Sequence, residues 1–395
     1  GVQTCALPIC TAQVQALTDT QVKAMTTAAM AALTTTQVGA LTTGQVKALS
    51  AAQVTALTTA SVAKLSTTQL SALSSTQVRA LTTSAVAGMS STQVNALSTS
   101  QVASLSTEQV NALSTSTLSG LSTTNLAGLT TTQVAVLDAA DVQAMSTSQV
   151  AALTAKQVGA MTTTAVAALS TGQVKALTTA QVANLSTAQV NVLTTRMVAA
   201  LTTDQVSAIT STNVAALTTT NIAALSTDQV GVMTTAQLAA LTTQQVMALE
   251  TQDLRALNTE QVGALTTDQV SALTASQVKA LTTAQVVALN TDQISQLTAS
   301  QVGAMSTAQV VVLAGPSGAG KSHLAERLGL PVLRLDDFYK DGDDPTLPLI
   351  RTGANEGLID WDHPDSWHLE DALTAIRQLC SDGVTDVPIY DIATS

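Results

Sequence analysis

A period of eight residues runs from Gln13 to Ala308 without an insertion or a deletion. Gln13, Gln21, Gln37, Gln45, Gln53, Gln269, Gln277, Gln301 and Gln309 all share one phase, and the 296 residues make 37 octads. The consensus is Gln-Val-x-Ala-Leu-Thr-Thr-x, with Ser often in place of Thr. A fixed period without slips is the mark of an array whose units bury apolar residues only against neighbouring units.

The octad carries its own start and stop signals. Thr18 and Gln21, Thr42 and Gln45, and Ser106 and Gln109 have the Ser/Thr-x-x-Gln spacing of a capping box. The hydroxyl accepts from the third helical N–H, and the glutamine reaches back to the cap. Val46 and Leu49 then fall three apart, on one face of a helical turn. The next Thr or Ser ends that turn and caps another. This spacing predicts a solenoid of short α-helices, each of five or six residues. One continuous helix fits poorly, because eight residues advance about 800° and the Val/Leu stripe drifts roughly 80° per octad. A β-solenoid stays open as the alternative, since Thr and Val suit strands. Its weakness is that Val and Leu would face opposite ways, with no regular Gly, Asn or Pro for corners.

Functionally the array is sparse. Its variable positions hold Lys, Asn, Ala, Gly and Ser without pattern, and no octad clusters metal-binding groups. It reads as a scaffold or spacer, with a binding surface of unknown ligand as the alternative.

At Val310 the chain becomes a different material. All five aromatic residues and all three histidines lie after position 309. Residues 310–395 hold 15 acidic and 6 basic groups, whereas the rest of the chain is nearly neutral. That acidity disfavours nucleic acid as a partner. Val310–Ala314 has the composition of a buried parallel strand. Gly315, Pro316, Ser317, Gly318, Ala319, Gly320, Lys321 and Ser322 follow, in the Gly-x4-Gly-Lys-Ser order of a phosphate-binding loop. The glycines let backbone N–H groups of Gly315, Ser317, Gly318, Ala319 and Gly320 turn toward phosphate oxygens. Lys321 supplies positive charge to the outer phosphates, and the Ser322 hydroxyl suits Mg²⁺. The helix expected from Lys321 aims its positive end at the same anion. Leu330–Leu335 is a second strand candidate, with Asp336 and Asp337 at its end. Asp336 there can hold Mg²⁺ or accept a hydroxyl proton, with a solvated turn as the competing reading. An amphipathic helix is expected over 367–381 and a strand over 386–391.

Four blocks in order then carry a resemblance: Gly315–Ser322, Leu335–Lys340, Asp360–Trp367 and Val387–Asp391. Residues 310–395 resemble the N-terminal half of the uridine kinase family. That resemblance implies an α/β P-loop domain binding ATP and Mg²⁺, cytoplasmic, acting on a uridine- or cytidine-class nucleoside. It implies Asp336 as the base for the nucleoside 5′-hydroxyl, with Lys321 at the transferring phosphate and Ser322 and Asp336 toward the metal. Asp362 would hold the ribose hydroxyls and Tyr390 would line the base pocket. A turn at Asp362 and a core role for Tyr390 are the alternatives. The family's later acidic strand, lid and arginines have no counterpart before Ser395, so the polypeptide as written is expected to be catalytically inactive.

The domains are therefore expected at 1–12, 13–309 and 310–395. Gly1–Ile9 resembles a translated sequencing adapter and is set aside as a non-native leader. Gln309–Leu313 fits both the octad and the kinase strand. That overlap makes an assembly chimaera the expectation and a natural fusion the alternative. Cys5, Cys10 and Cys380 suggest neither a disulfide framework nor a metal site. No apolar run is long enough to span a membrane.

Overall fold

The computed structural model describes residues 9–306 and Gln309. The chain divides into two compact units, Gly1–Ala224 and Leu225–Ser395. Among the described residues there are 37 helices and no strand. They run from Thr11–Ala16 to Ala299–Gly303, each starting eight residues after the one before and each four to six residues long. The first takes in the last two residues of the segment assigned to the leader. The β-solenoid alternative is thus overturned. The physical reason is local: a polar cap, usually Ser or Thr, satisfies a first-turn backbone donor, and in most octads the glutamine three residues on satisfies the cap's own N–H, which favours a helix start there.

One octad shows how. The Thr42 hydroxyl accepts from the Gln45 N–H at 3.2 Å, and Gln45 Oε1 accepts from the Thr42 N–H at 2.8 Å. The helix Thr43–Ala48 follows. Leu49 leaves it at φ −59° and ψ 136°, while its N–H still reaches the Val46 carbonyl. Ser50, the next cap, is also extended, at φ −73° and ψ 159°. Two extended residues in succession redirect the chain at this junction, with no glycine or proline needed. They also rule out one continuous helix.

Helices this short are not stable alone; neighbours hold them. In the first unit, Thr43–Ala48 packs against Asp19–Ala24 and Thr67–Ala72, three octads away on either side. In the second, Thr243–Ala248 packs against Thr267–Ala272 in the same way. Val, Leu, Ile or Met after the glutamine position, and Leu, Met or Ile three residues later, form the core. Val46 and Leu49, Val110 and Leu113, and Val246 and Leu249 are all buried. Close approach matters at Gly120, where an added Cβ would lie 2.6 Å from Ser91 Cβ.

The glutamine has a second task. Gln109 is buried, and its Nε2 donates to the carbonyls of Leu81, at 2.6 Å, and Val78, at 3.2 Å, four octads back. Its Oε1 accepts from the Ser106 N–H at 2.7 Å. Gln277 does the same in the second unit, toward Val246 and Leu249. Within each unit, packing to the third octad and hydrogen bonds to the fourth mean that one turn of the solenoid closes between them.

Two outcomes are expected in chemical denaturation. Leu126→Ala, at a fully buried position, costs about 2–5 kcal/mol, whereas Lys23→Ala, at an exposed one, stays within about 0.5 kcal/mol. Gln109→Leu strands the Ser106 N–H and the Leu81 carbonyl, so it loses at least about 1–3 kcal/mol although it adds apolar surface.

Candidate functional site

Two kinds of position in the octad are open to chemistry. One is the row that follows the core Val or Leu. Lys23, Lys47, Arg79, Lys175, Arg255 and Lys279 occupy it and are exposed. Met247 and Val287 stand in the same row, 50% and 56% exposed. The residue before the glutamine is also outward: Glu108, Asp204, Asp228, Glu260, Asp268 and Asp292 are exposed there. Hydrogen bonds from its own backbone and from Ser106 and Thr107 hold the Glu108 carboxyl below its ordinary range. These are solvated faces with neither sign dominating throughout.

The other is the ladder position itself, where the glutamine is sometimes replaced. Asn125 Nδ2 donates to the Val94 carbonyl at 3.0 Å, and Asn221 Nδ2 to the Leu193 carbonyl at 3.0 Å. Thr117 Oγ1 reaches the Met89 carbonyl at 3.3 Å. Ala85, Ala165 and Met197 bring no donor at all.

Asp141 and Asp253 are the two acids at this position, and both are buried. They share one arrangement. Asp141 Oδ1 accepts from Thr115 Oγ1 at 3.0 Å, and Oδ2 from the Asp138 N–H at 3.3 Å. Asp253 Oδ1 accepts from Thr227 Oγ1 at 3.2 Å, and Oδ2 from the Glu250 N–H at 3.2 Å. In each, burial pushes the carboxyl up, against the opposing hydrogen bonds from the threonine and from the cap N–H. The acid at the cap, Asp138 or Glu250, adds a smaller push in the same upward direction.

No group of three or more His, Cys, Asp or Glu side chains among the described residues is placed to hold a metal ion. No described helix is long and apolar enough to cross a membrane. Cys10 is a free, exposed thiol. Every residue assigned to phosphate, metal or nucleoside binding lies outside the described residues: Gly315, Ser317, Gly318, Ala319, Gly320, Lys321, Ser322, Asp336, Asp362 and Tyr390.

The Nε2 half of the ladder goes beyond what the capping-box reading anticipates. A signal for it is present in the sequence. A capping box accepts Glu as readily as Gln, yet no octad from Gln13 to Gln309 places Glu there. Only an amide both accepts at the cap and donates to the carbonyls.

Two comparisons with known proteins bear on the chain. Over 87 residues it is 26% identical to a uridine kinase of Lactobacillus johnsonii, a match that covers 20% of this chain and 38% of that protein. The chain thus spans well under half the length of that relative. The model of the ALTTAQ repeat matches residues 20–51, 35–67, 51–83, 70–107, 134–171, 166–203, 206–243, 246–283 and 280–314, together well over half of the chain. With the octad phase, the capped short helices and the glutamine ladder in hand, the chain belongs to the ALTTAQ repeat family.

Proposed function

We propose that the array is a scaffold, a helical solenoid that spaces and presents what is attached to it. One observation carries this reading: the octads spend their polar groups on themselves. Ser and Thr hydroxyls cap helices, and glutamine amides join cap to carbonyl, as at Ser106, Gln109 and Leu81. Among the described residues, what remains outward is a varied set of single charges among small polar and apolar side chains.

A second reading concerns residues 310–395, taken as a separate segment after an array of residues 13–309. It is supported by the Gly315–Ser322 loop and by the 26% identity to a uridine kinase over 87 residues. The loop would bind ATP, with Gly315, Ser317, Gly318, Ala319 and Gly320 giving backbone N–H groups and Lys321 giving charge. Ser322 and Asp336 would hold Mg²⁺. Asp336 would also face a nucleoside hydroxyl, with Asp362 and Tyr390 on the ribose and base.

The two readings separate in one titration of the full chain with Mg-ATP, followed by calorimetry. Binding is expected, lost in Lys321→Ala and unchanged in Gln109→Leu; no binding by the unmodified chain sinks the ATP reading. The scaffold reading is checked by deletion. Removing one whole octad, residues 171–178, is expected to keep a cooperative melt in circular dichroism and leave nucleotide affinity unchanged. Removing four residues, 171–174, is expected to broaden or lower the melt, because it shifts Gln181 and Gln189 off the carbonyls they reach across the cut. Equal effects from both deletions would count against an array of interchangeable units.

A further inference from the structure

The ladder reads donor to carbonyl at its glutamines and asparagines, is empty where Ala85, Ala165 or Met197 brings no donor, and changes character at Asp141 and Asp253, where a carboxylic acid takes the glutamine's place. Asp141 stands where a glutamine would donate to the carbonyls four octads back. Among the described residues no donor reaches the carbonyl of Leu113, which is buried. The Leu225 carbonyl, in the same relation to Asp253 and within the second unit, also lacks one. Reach is not the obstacle. Asn221 has the same side-chain length as Asp141 and touches the equivalent carbonyl at 3.0 Å, and Asn213 does so at 2.6 Å. What an ionised aspartate lacks is the proton. It turns instead to donors on its other side, Thr115 or Thr227 and the cap N–H. The same constellation occurs twice, with an acid at the cap, an acid at the ladder and a threonine three octads back.

The geometry points to Asp141 and Asp253 as proton-gated staples: protonated, each donates its O–H to the carbonyl of Leu113 or Leu225 and closes the ladder; ionised, each swings to its threonine and leaves that rung open. The proton comes from bulk water and returns to it, and no other bond changes.

The groups around them leave this balance to the acids themselves. Helices Thr115–Ser119 and Thr163–Ala167, which pack on Asp141's helix, carry no charge. Glu108 and Lys175, on the helices four octads before and after, are exposed, and Asp138 is the charge that acts on Asp141. Around Asp253 stand Asp228, Lys279 and Arg255, all exposed, with Glu250 the charge that acts on it. Both carboxyls are raised from their ordinary value of 3.8. A raised folded value means that protonation stabilises the fold. That stabilisation is complete below the ordinary value and is lost as pH climbs through the raised one.

Native-state hydrogen exchange on the full chain tests this, read as protection factors across a pH series for residues 107–113 and 139–145. Helix Thr67–Ala72, with Gln69 donating to the Leu41 carbonyl, serves as internal reference. Wild-type protection at the Asp141 rung is expected to fall relative to the reference as pH rises from 4 to 7. Asp141→Asn is expected to hold its protection across the range and to exceed wild type at pH 7 by about three- to tenfold, the worth of one hydrogen bond. Thr115→Val, which removes the donor that steadies the ionised form, should move the wild-type transition to higher pH. An identical pH profile in wild type and Asp141→Asn, or a transition that Thr115→Val leaves in place, overturns the proposal.

Discussion

A buried primary amide must place both its oxygen and its nitrogen, and the whole array follows from how glutamine does so. At Gln109 the oxygen takes the N–H that begins its own helix, and the nitrogen takes the carbonyls that end a helix four octads earlier. Two sets of orphan groups, the open start of one helix and the open end of another, are closed by one side chain. The bond is short in sequence on one side and long on the other. Local structure and tertiary structure are therefore specified by the same residue.

The core adds breadth to that connection but little selectivity. Most octads bring one Val or Leu and one Leu or Met, with Met30, Ile209, Ile222 and Ile294 as substitutes, and the described core has no aromatic residue. Side chains so alike would pack almost as well if one row slid against the next. The glutamine forbids the slide, since a buried amide facing the wrong backbone would leave donors and acceptors unmade at about 1–3 kcal/mol each. Apolar burial thus supplies cohesion, and the amide ladder supplies register. A helix of five residues, far below the length that stands alone in water, persists because both act on it from the third and fourth octads.

Much of this was legible in the residues. The eight-residue phase gave the helix starts, each of which falls eight after the last. Thr42-x-x-Gln45 marked the cap and the first turn, and Val46 and Leu49 marked the buried face. The partner four octads away was not legible, because the sequence shows only that Gln45 has a free Nε2, not which carbonyl the winding of the solenoid brings beneath it. The β-solenoid stayed open for a related reason: Thr and Val content is compatible with strands, and only the commitment of Gln45 Oε1 to the Thr42 N–H decides against them. For the candidate site the balance is reversed. The phosphate-loop residues from Gly315 to Ser322 are legible in their order alone, whereas Asp141 and Asp253 look in sequence like two unremarkable departures from consensus. Their burial, and the carbonyls that lack a donor, appear only once the octads are wound together.

The ladder also has a sense of direction. Gln45 donates back to Val14 and Leu17, Gln77 to Val46 and Leu49, and Gln109 to Val78 and Leu81. Each glutamine carries the donor for carbonyls made before it, and the carbonyls of its own octad wait for a glutamine four octads later. A chain emerging from the ribosome can therefore close every rung behind it, and its growing tip is always the least finished part. The array is vectorial in its assembly even though its units are nearly alike.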